Sequence, residues 1–368
     1  SLNTDVSFAN DVIYAGAGND RVYGFYGDDL IEGQEGNDIL FGGTDNDQNY
    51  VPFFKNIYET DGNDYISGGD GDDKLYGETG DDYLNGDSTN GKNGAEKVFV
   101  GNGNDFLSGG EGDDILEGGN GNDVLNGGTG SDQMNGGTGN DIYFVDIIGD
   151  SVDETNGGGI DTVNSSITYT LGTAIENLTL TGTAAINGTG NALNNILTGN
   201  SAVNTLTGLT GNDTYFITSG DIVKEAASAG TDTVKAGFSY TLGTNVENLT
   251  LTGTGAINGT GNGLVNLLIG NASANILAGG LGNDTLTGGA GADKFLFNTA
   301  INATTNKDII TDFNVVDDTL RLENAIFTKF TTAGALTAGT FVSGAGAKAL
   351  DANDYLIYNT TNGTLSYD

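Results

Sequence analysis

Histidine, cysteine and tryptophan are absent from the 368 residues, and proline and methionine occur once each. Without His or Cys there is no Ser-His or Cys-His nucleophile pair, no thiolate or imidazole zinc site and no disulfide framework. A hydrolase made from this chain would have to work with carboxylates alone. Basic residues are also scarce: 12 Lys and Arg face 50 Asp and Glu, for a formal charge of −38. Such a surface repels phosphate backbones and anionic lipid heads, so neither nucleic acid nor a bare membrane is a partner, and cations are. No apolar run approaches the roughly 18 residues of a membrane span, so membrane insertion is excluded. The start at Ser1 shows neither an initiator Met nor a signal segment, and reads as a processed product or a fragment. Lack of Cys suits export without oxidative folding, and it suits the cytosol as well.

Glycine, by contrast, is abundant, at 63 residues. It loses more backbone freedom on folding than any other residue, and self-repulsion of the acids adds to that cost. By composition the chain leans toward disorder, so something must offset both terms.

The offset is visible when the chain is written in nines. AGAGNDRVY (Ala15 to Tyr23), GFYGDDLIE and GQEGNDILF run to Phe41. After a weaker unit and an insertion come ETDGNDYIS, GGDGDDKLY and GETGDDYLN (Glu59 to Asn85). A second insertion is followed by VGNGNDFLS, GGEGDDILE, GGNGNDVLN, GGTGSDQMN and GGTGNDIYF (Val100 to Phe144). Late copies span Gly208 to Phe216, Gly279 to Thr287 and Gly288 to Leu296. Each nine joins a Gly-rich turn to a strand of about three residues. Gly at places one, two and four permits positive φ and close backbone approach. Place six is Asp, and place eight is apolar, as in Val22, Ile31, Leu40, Ile66, Leu75, Leu84, Leu107, Leu116, Leu125 and Met134. One inward apolar residue per nine makes a core only if coils stack, so the fold is read as a solenoid.

Stacked coils stack their turns, about 4.8 Å apart. Carboxylates that close repel unless a cation lies between them. Asp oxygens and turn carbonyls are donors for a hard divalent ion. Calcium fits better than magnesium, which demands a strict octahedron, or softer metals, which want His or Cys.

These nonapeptides resemble those of the RTX (repeats-in-toxin) proteins, calcium-binding repeat proteins of type I secretion. The resemblance implies an all-β fold, a right-handed parallel β-roll with two nonapeptides per coil and several bound calcium ions. It also implies that each ion lies between place-six Asp residues of turns stacked on one side, with backbone carbonyls. By position the ligands are Asp20, Asp29, Asp38, Asp64, Asp73, Asp82, Asp105, Asp114, Asp123, Asp132, Asp141, Asp213, Asp284 and Asp293. Asp47 is left out of the set, because its unit replaces the fourth Gly with Asp45 and the apolar eighth residue with Asn49.

Two longer repeats follow the roll. Thr168 to Asn191 (TYTLGTAIENLTLTGTAAINGTGN) returns as Ser239 to Asn262, and each copy is preceded by an acidic stretch, GDSVDE with GIDTV and GDIVKE with GTDTV. Beyond each, the period of nine resumes with Asn195, Asn204, Asn266 and Asn275 at place six. Asn offers an acceptor and an NH₂ donor without charge, so stacked Asn residues are expected to carry the roll on without metal. The segment Asp308 to Leu322 resembles the one found after the last roll of secreted RTX proteins, and Tyr355 to Asp368 reads as a hairpin around Asn362 and Gly363. Family members usually continue into an export signal, so the C-terminus is expected to be truncated.

The expected domains are a calcium roll over 1–144 with insertions at about 51–58 and 88–98, a first β-rich and Asn-coil repeat over 145–216, a second over 217–296 ending in calcium-binding nonapeptides, and a β-rich C-terminal cap over 297–368. The expected function is that of a secreted, extracellular, noncatalytic calcium-binding roll. It would act as a structural or adhesive module that self-associates or meets a cell-surface or matrix partner, in a matrix, surface layer or filament. The alternative is the noncatalytic C-terminal part of a secreted protease, lipase or polysaccharide-modifying enzyme. A carbohydrate-active role of the chain itself ranks third, because nearly all acids fall in repeat positions.

Overall fold

The computed structural model describes residues 12–25, 29–35, 38–43, 65–70, 74–79, 83–85, 103–154, 157–331, 334–349 and 353–368. It divides into two compact units, residues 1–235 and 236–368.

In the first unit successive short strands alternate between two parallel sheets. One holds Val12–Ala17, Leu30–Glu35, Tyr65–Asp70, Tyr83–Asn85, Ile115–Asn120, Gln133–Thr138 and Ser151–Val152. The other begins with Arg21–Phe25, Ile39–Gly43, Lys74–Thr79, Phe106–Glu111, Val124–Thr129 and Ile142–Val145. Register advances by two nonapeptides: Leu107 lies beside Leu125, Leu125 beside Tyr143, and Leu116 beside Met134. Each nine is therefore one strand and each pair of nines one coil. This is the all-β, parallel solenoid of a β-roll.

Place eight forms the core. Val22, Ile31, Leu40, Ile66, Leu75, Leu84, Leu107, Leu116, Leu125 and Met134 are all buried, and Tyr143 continues the series. Burying each such side chain contributes about 1.5–3 kcal/mol, and stacking makes the contribution continuous. The turns close through glycine in two distinct ways. At places two and four the backbone is left-handed, with φ of +95° at Gly128 and +138° at Gly130. At place one φ is ordinary, and glycine is needed for space, because a Cβ on Gly127 would collide with Asp132.

The second of these sheets runs on through Thr162–Ser165, Asn177–Leu180, Ile196–Thr198, Thr214–Ile217 and Thr233–Ala236. Tyr169–Thr170, Gly188–Thr189, Thr205–Thr207 and Ile222–Lys224 form a separate four-stranded sheet.

In the second unit Asn248–Leu251, Leu267–Ile269, Thr285–Thr287 and Ile309–Ile310 stack in one parallel sheet. Tyr240–Thr241, Gly259–Thr260, Ile276–Ala278, Lys294–Phe297 and Thr319–Leu322 stack in a second. Parallel stacking therefore continues past Leu296. A three-stranded sheet ends the chain: Phe341–Gly344 lies parallel to Leu356–Asn359, which pairs antiparallel with Thr364–Tyr367. That hairpin turns through Asn362 and Gly363, the latter at φ +71°. Among the described residues no helix is long and apolar enough to cross a membrane.

Candidate metal sites

Place six immediately precedes each strand, so its side chain points into the turn stack. Asp29, Asp38, Asp105, Asp114, Asp123, Asp132, Asp141, Asp213, Asp284 and Asp293 are buried, and Asp20 is half-buried. Asp64, Asp73 and Asp82 lie outside the described residues, as do Asp47 and both insertions.

One hydrogen bond recurs along the stack. The backbone N–H of Asp105 donates to Asp123 Oδ1 (2.8 Å), that of Asp114 to Asp132 Oδ1 (2.9 Å) and that of Asp123 to Asp141 Oδ1 (2.7 Å), each eighteen residues on. Asp20 N–H donates to Asp38 Oδ1 in the same way (2.8 Å). The main chain is tied in the opposite direction, with Val124 N–H donating to Asp105 O and Gln133 N–H to Asp114 O, both at 2.8 Å. Place-six residues thus form columns, one containing Asp105, Asp123 and Asp141, the other Asp114 and Asp132.

The bond uses one carboxylate oxygen and leaves the other. Oδ2 of Asp132, Asp141, Asp213, Asp284 and Asp293 is buried with no hydrogen-bond partner. A buried acceptor without a donor is costly, and costlier when charged. Each of these oxygens lies over the place-one glycine of its own nonapeptide: a Cβ added to Gly127, Gly136, Gly208, Gly279 or Gly288 would collide with it. Glycine carbonyls enter the same spaces. A Cβ on Gly109 would meet Asp114 Oδ2 and the Gly127 carbonyl, and one on Gly118 would meet Asp123 Oδ2 and the Gly136 carbonyl. The cradle is lined by carboxylate and carbonyl oxygens, a donor set that fits calcium.

Burial pushes Asp132 up to about 6, with the charges of Asp150, Asp146 and Asp113 adding to it. Asp141 rises to about 6 through burial and then Asp161, Asp213 to about 6 through burial and then Asp232, and Asp284 to about 6 through burial and then Asp308. Asp38 and Asp293 are raised for the same first reason.

Among the described residues, five acids absent from the sequence-derived set accept from place-six Asp amides. Asp150 Oδ1 accepts from Asp132 N–H (3.2 Å), Asp161 Oδ1 from Asp141 N–H (2.8 Å) and Asp232 Oδ1 from Asp213 N–H (2.9 Å). Asp308 and Asp318 do the same for Asp284 (3.1 Å) and Asp293 (2.9 Å). Only Asp150 keeps the eighteen-residue step. The others follow steps of 20, 19, 24 and 25, which a search for nines passes over.

The Asn coils close the same cradle differently. Asn204 Oδ1 accepts from Asn200 N–H (2.8 Å), while its Nδ2 donates to the Ile186 carbonyl (2.7 Å) and Asn200 Oδ1 (3.1 Å). Asn200 Nδ2 in turn donates to the Thr181 and Ala184 carbonyls, at 3.0 and 2.9 Å. The pattern returns at Asn195 with Asn191 and at Asn275 with Asn271. A side-chain NH₂ donates to main-chain oxygens of the preceding coil. Asn does not stack on Asn, however: Asn195 N–H donates to Asp213 Oδ1 and Asn204 N–H to Asp221 Oδ1, at 2.7 and 2.8 Å. The second Asn of each pair, at place two, escaped the sequence reading, although its signal was the GN that replaces GG.

The family model described as RTX calcium-binding nonapeptide repeat (4 copies) matches residues 7–25, 26–48, 59–92, 90–125, 108–143, 189–221 and 260–295, together more than half of the chain. Two proteins of Rhizobium meliloti (strain 1021), the endo-1,3-1,4-beta-glycanases EglC and ExsH, are 48% and 43% identical to it over 143 residues. That stretch is 38% of this chain, and it spans only 30% of the length of either glycanase.

Proposed function

The chain belongs to the RTX calcium-binding nonapeptide-repeat family, and from that premise we propose that it is an extracellular, noncatalytic roll whose folding is coupled to calcium and which serves as a structural or adhesive module. The observation that carries the calcium part is the buried Oδ2 of Asp132, Asp141, Asp213, Asp284 and Asp293, held over glycine without a donor. The ligands in this reading are the place-six residues Asp20, Asp29, Asp38, Asp64, Asp73, Asp82, Asp105, Asp114, Asp123, Asp132, Asp141, Asp213, Asp284 and Asp293, with turn carbonyls.

When bound, calcium supplies the positive charge that stacked carboxylates require. The chain's own residues do the rest. At low calcium the acids repel one another and the glycine-rich turns stay open, so the chain is expanded and suited to export by type I secretion. Outside the cell the place-six acids order the turns, the turns set the register, and the register stacks the place-eight residues into a core. Self-association or attachment to a cell surface or matrix would use the sides of the roll.

A second reading has a specific observation in its favour. Likeness to two endo-glycanases over part of their length fits a roll that is the noncatalytic portion of a secreted polysaccharide-acting enzyme. Both readings leave this chain without catalysis: Asp105, Asp114, Asp123, Asp132 and Asp141 are buried, out of reach of a sugar, and His and Cys are absent.

Calcium titration of the metal-free full chain, followed by circular dichroism, tests the shared premise. Sheet signal should appear cooperatively with calcium and vanish with chelator. A spectrum and melting point that ignore the chelator would overturn it. Electron microscopy with calcium separates the readings, since ordered assemblies support a structural module and dispersed monomers an enzyme's appendage. Hydrolysis of a mixed-linkage β-glucan by this chain would refute both.

A further inference from the structure

Glu154, Asp161, Glu225 and Asp232 lie outside the segments that match the nonapeptide family, in the acidic stretches that precede the two long repeats. On one side of the roll the place-one glycines include Gly118 and Gly136, eighteen residues apart, and the next step of eighteen falls on Glu154. A carboxylate thus stands where the roll has a bare α-carbon. Glu154 is 4% exposed, and neither of its oxygens has a hydrogen-bond partner. The Gly136 N–H faces it and donates to Tyr143 Oη (2.6 Å). Carboxylate oxygens of Asp141, Glu154 and Asp161 all lie within 4.8 Å of one another, and all three residues are buried. The charged groups facing Glu154 are Asp161, Asp141 and Glu176, every one an acid.

We propose that Asp141, Glu154 and Asp161 hold a hard divalent cation at a carboxylate-built site, different from the nonapeptide cradles, that closes the calcium column where the acidic roll meets the first Asn block. Asp141 contributes the Oδ2 left over by its bond to Asp123. Asp161 is fixed by accepting the Asp141 N–H (2.8 Å) and by donating its own N–H to Glu176 Oε2 (2.9 Å). Glu154 supplies the oxygens that replace a glycine carbonyl. Three carboxylates and no carbonyl requirement make a compact, highly charged site for calcium or an ion of its class.

Recurrence supports the inference independently. Asp213, Glu225 and Asp232 bring carboxylate oxygens within the same 4.8 Å, after the next nonapeptide that has Asp at place six. Glu225 and Asp232 each stand 71 residues after Glu154 and Asp161 (225 − 154 and 232 − 161). There Tyr215 Oη donates to Glu225, so a place-eight tyrosine reaches toward the cluster in both copies.

The inference rests on the same view of buried carboxylates as cation ligands, and its test separates the two. Calcium per chain is counted by atomic emission after dialysis at a free calcium that just saturates the wild-type protein. Glu154→Gln should lose one ion, and Glu154→Gln with Glu225→Gln two. An unchanged count overturns the site. Should the variants fail to fold, terbium-soaked crystals of the wild-type chain decide: an anomalous peak among Asp141, Glu154 and Asp161 supports it. Peaks confined to the nonapeptide turns overturn this site alone, and no metal anywhere overturns the calcium reading with it.

Discussion

The backbone N–H of Asp114 donates to Asp132 Oδ1 at 2.9 Å, one coil and eighteen residues away, and the bond aims Asp132 Oδ2 over Gly127. Glycine at place one is therefore a demand for space. Gly127→Ala should cost about 1–3 kcal/mol in calcium, as overpacked sites do, and lower the ion count. Gly263→Ala, with nothing within 4 Å of the added carbon, should stay within about 0.5 kcal/mol. Melting curves of both variants in calcium check this; equal losses would remove the cradle argument.

Replacing an Asn by Asp should convert a self-sufficient coil into a metal-dependent one. Asn204→Asp removes the donor to the Ile186 carbonyl and sets a charge near Asp221. In chelator the cost should be about 1–3 kcal/mol, the penalty of an unsatisfied buried group. Calcium should recover part of it with one added ion. Chemical denaturation with and without calcium measures both arms, and Asn275→Asp should behave alike.

The pH dependence follows from carboxylates raised to about 6 in the folded chain, Asp132, Asp141, Asp213 and Asp284 among them. Between the unfolded value of about 4 and the folded value of about 6 the folded state binds more protons than the unfolded state, so stability in chelator should rise as pH falls from 7 toward 4. In calcium the trend should reverse near pH 6, because protons compete with the ion for the same oxygens. Melting temperatures against pH in the two buffers would show the crossing; parallel curves would contradict it.

Removing calcium should not unravel the chain uniformly. Val124 and Gln133 amides are bonded to place-six Asp carbonyls, whereas the Gly190 and Ile196 amides sit in a coil closed by Asn191 and Asn195. Hydrogen exchange in chelator should lose protection first at Val124 and Gln133 and keep it longer at Gly190 and Ile196. Simultaneous loss would mean that the Asn coils depend on the metal columns.

Much of this architecture was legible in the chain because it is periodic. A nine-residue spacing with Asp at place six and Leu, Ile or Val at place eight put Leu107, Leu116 and Leu125 in the core, and each is fully buried. The same spacing brought Asp105, Asp123 and Asp141 into one column. Asn195 and Asn204 were recognisable as uncharged substitutes from chemistry alone. What they bond to was not, since the recipients are main-chain carbonyls such as those of Ile175 and Ile186, and a carbonyl has no residue type to read.

By itself, then, the sequence determined the repeat, the place of each acid within its turn and the need for a counter-charge, because these depend only on neighbours within nine residues. Tertiary structure decided which group comes next in each column. It brought in Asp161, Asp308 and Asp318 after steps of 20, 24 and 25 residues, and gathered the carboxylates of Asp141, Glu154 and Asp161. Those neighbours are chosen by the lengths of the intervening loops and by hydrogen-bond register between coils, and both are properties of the stacked chain.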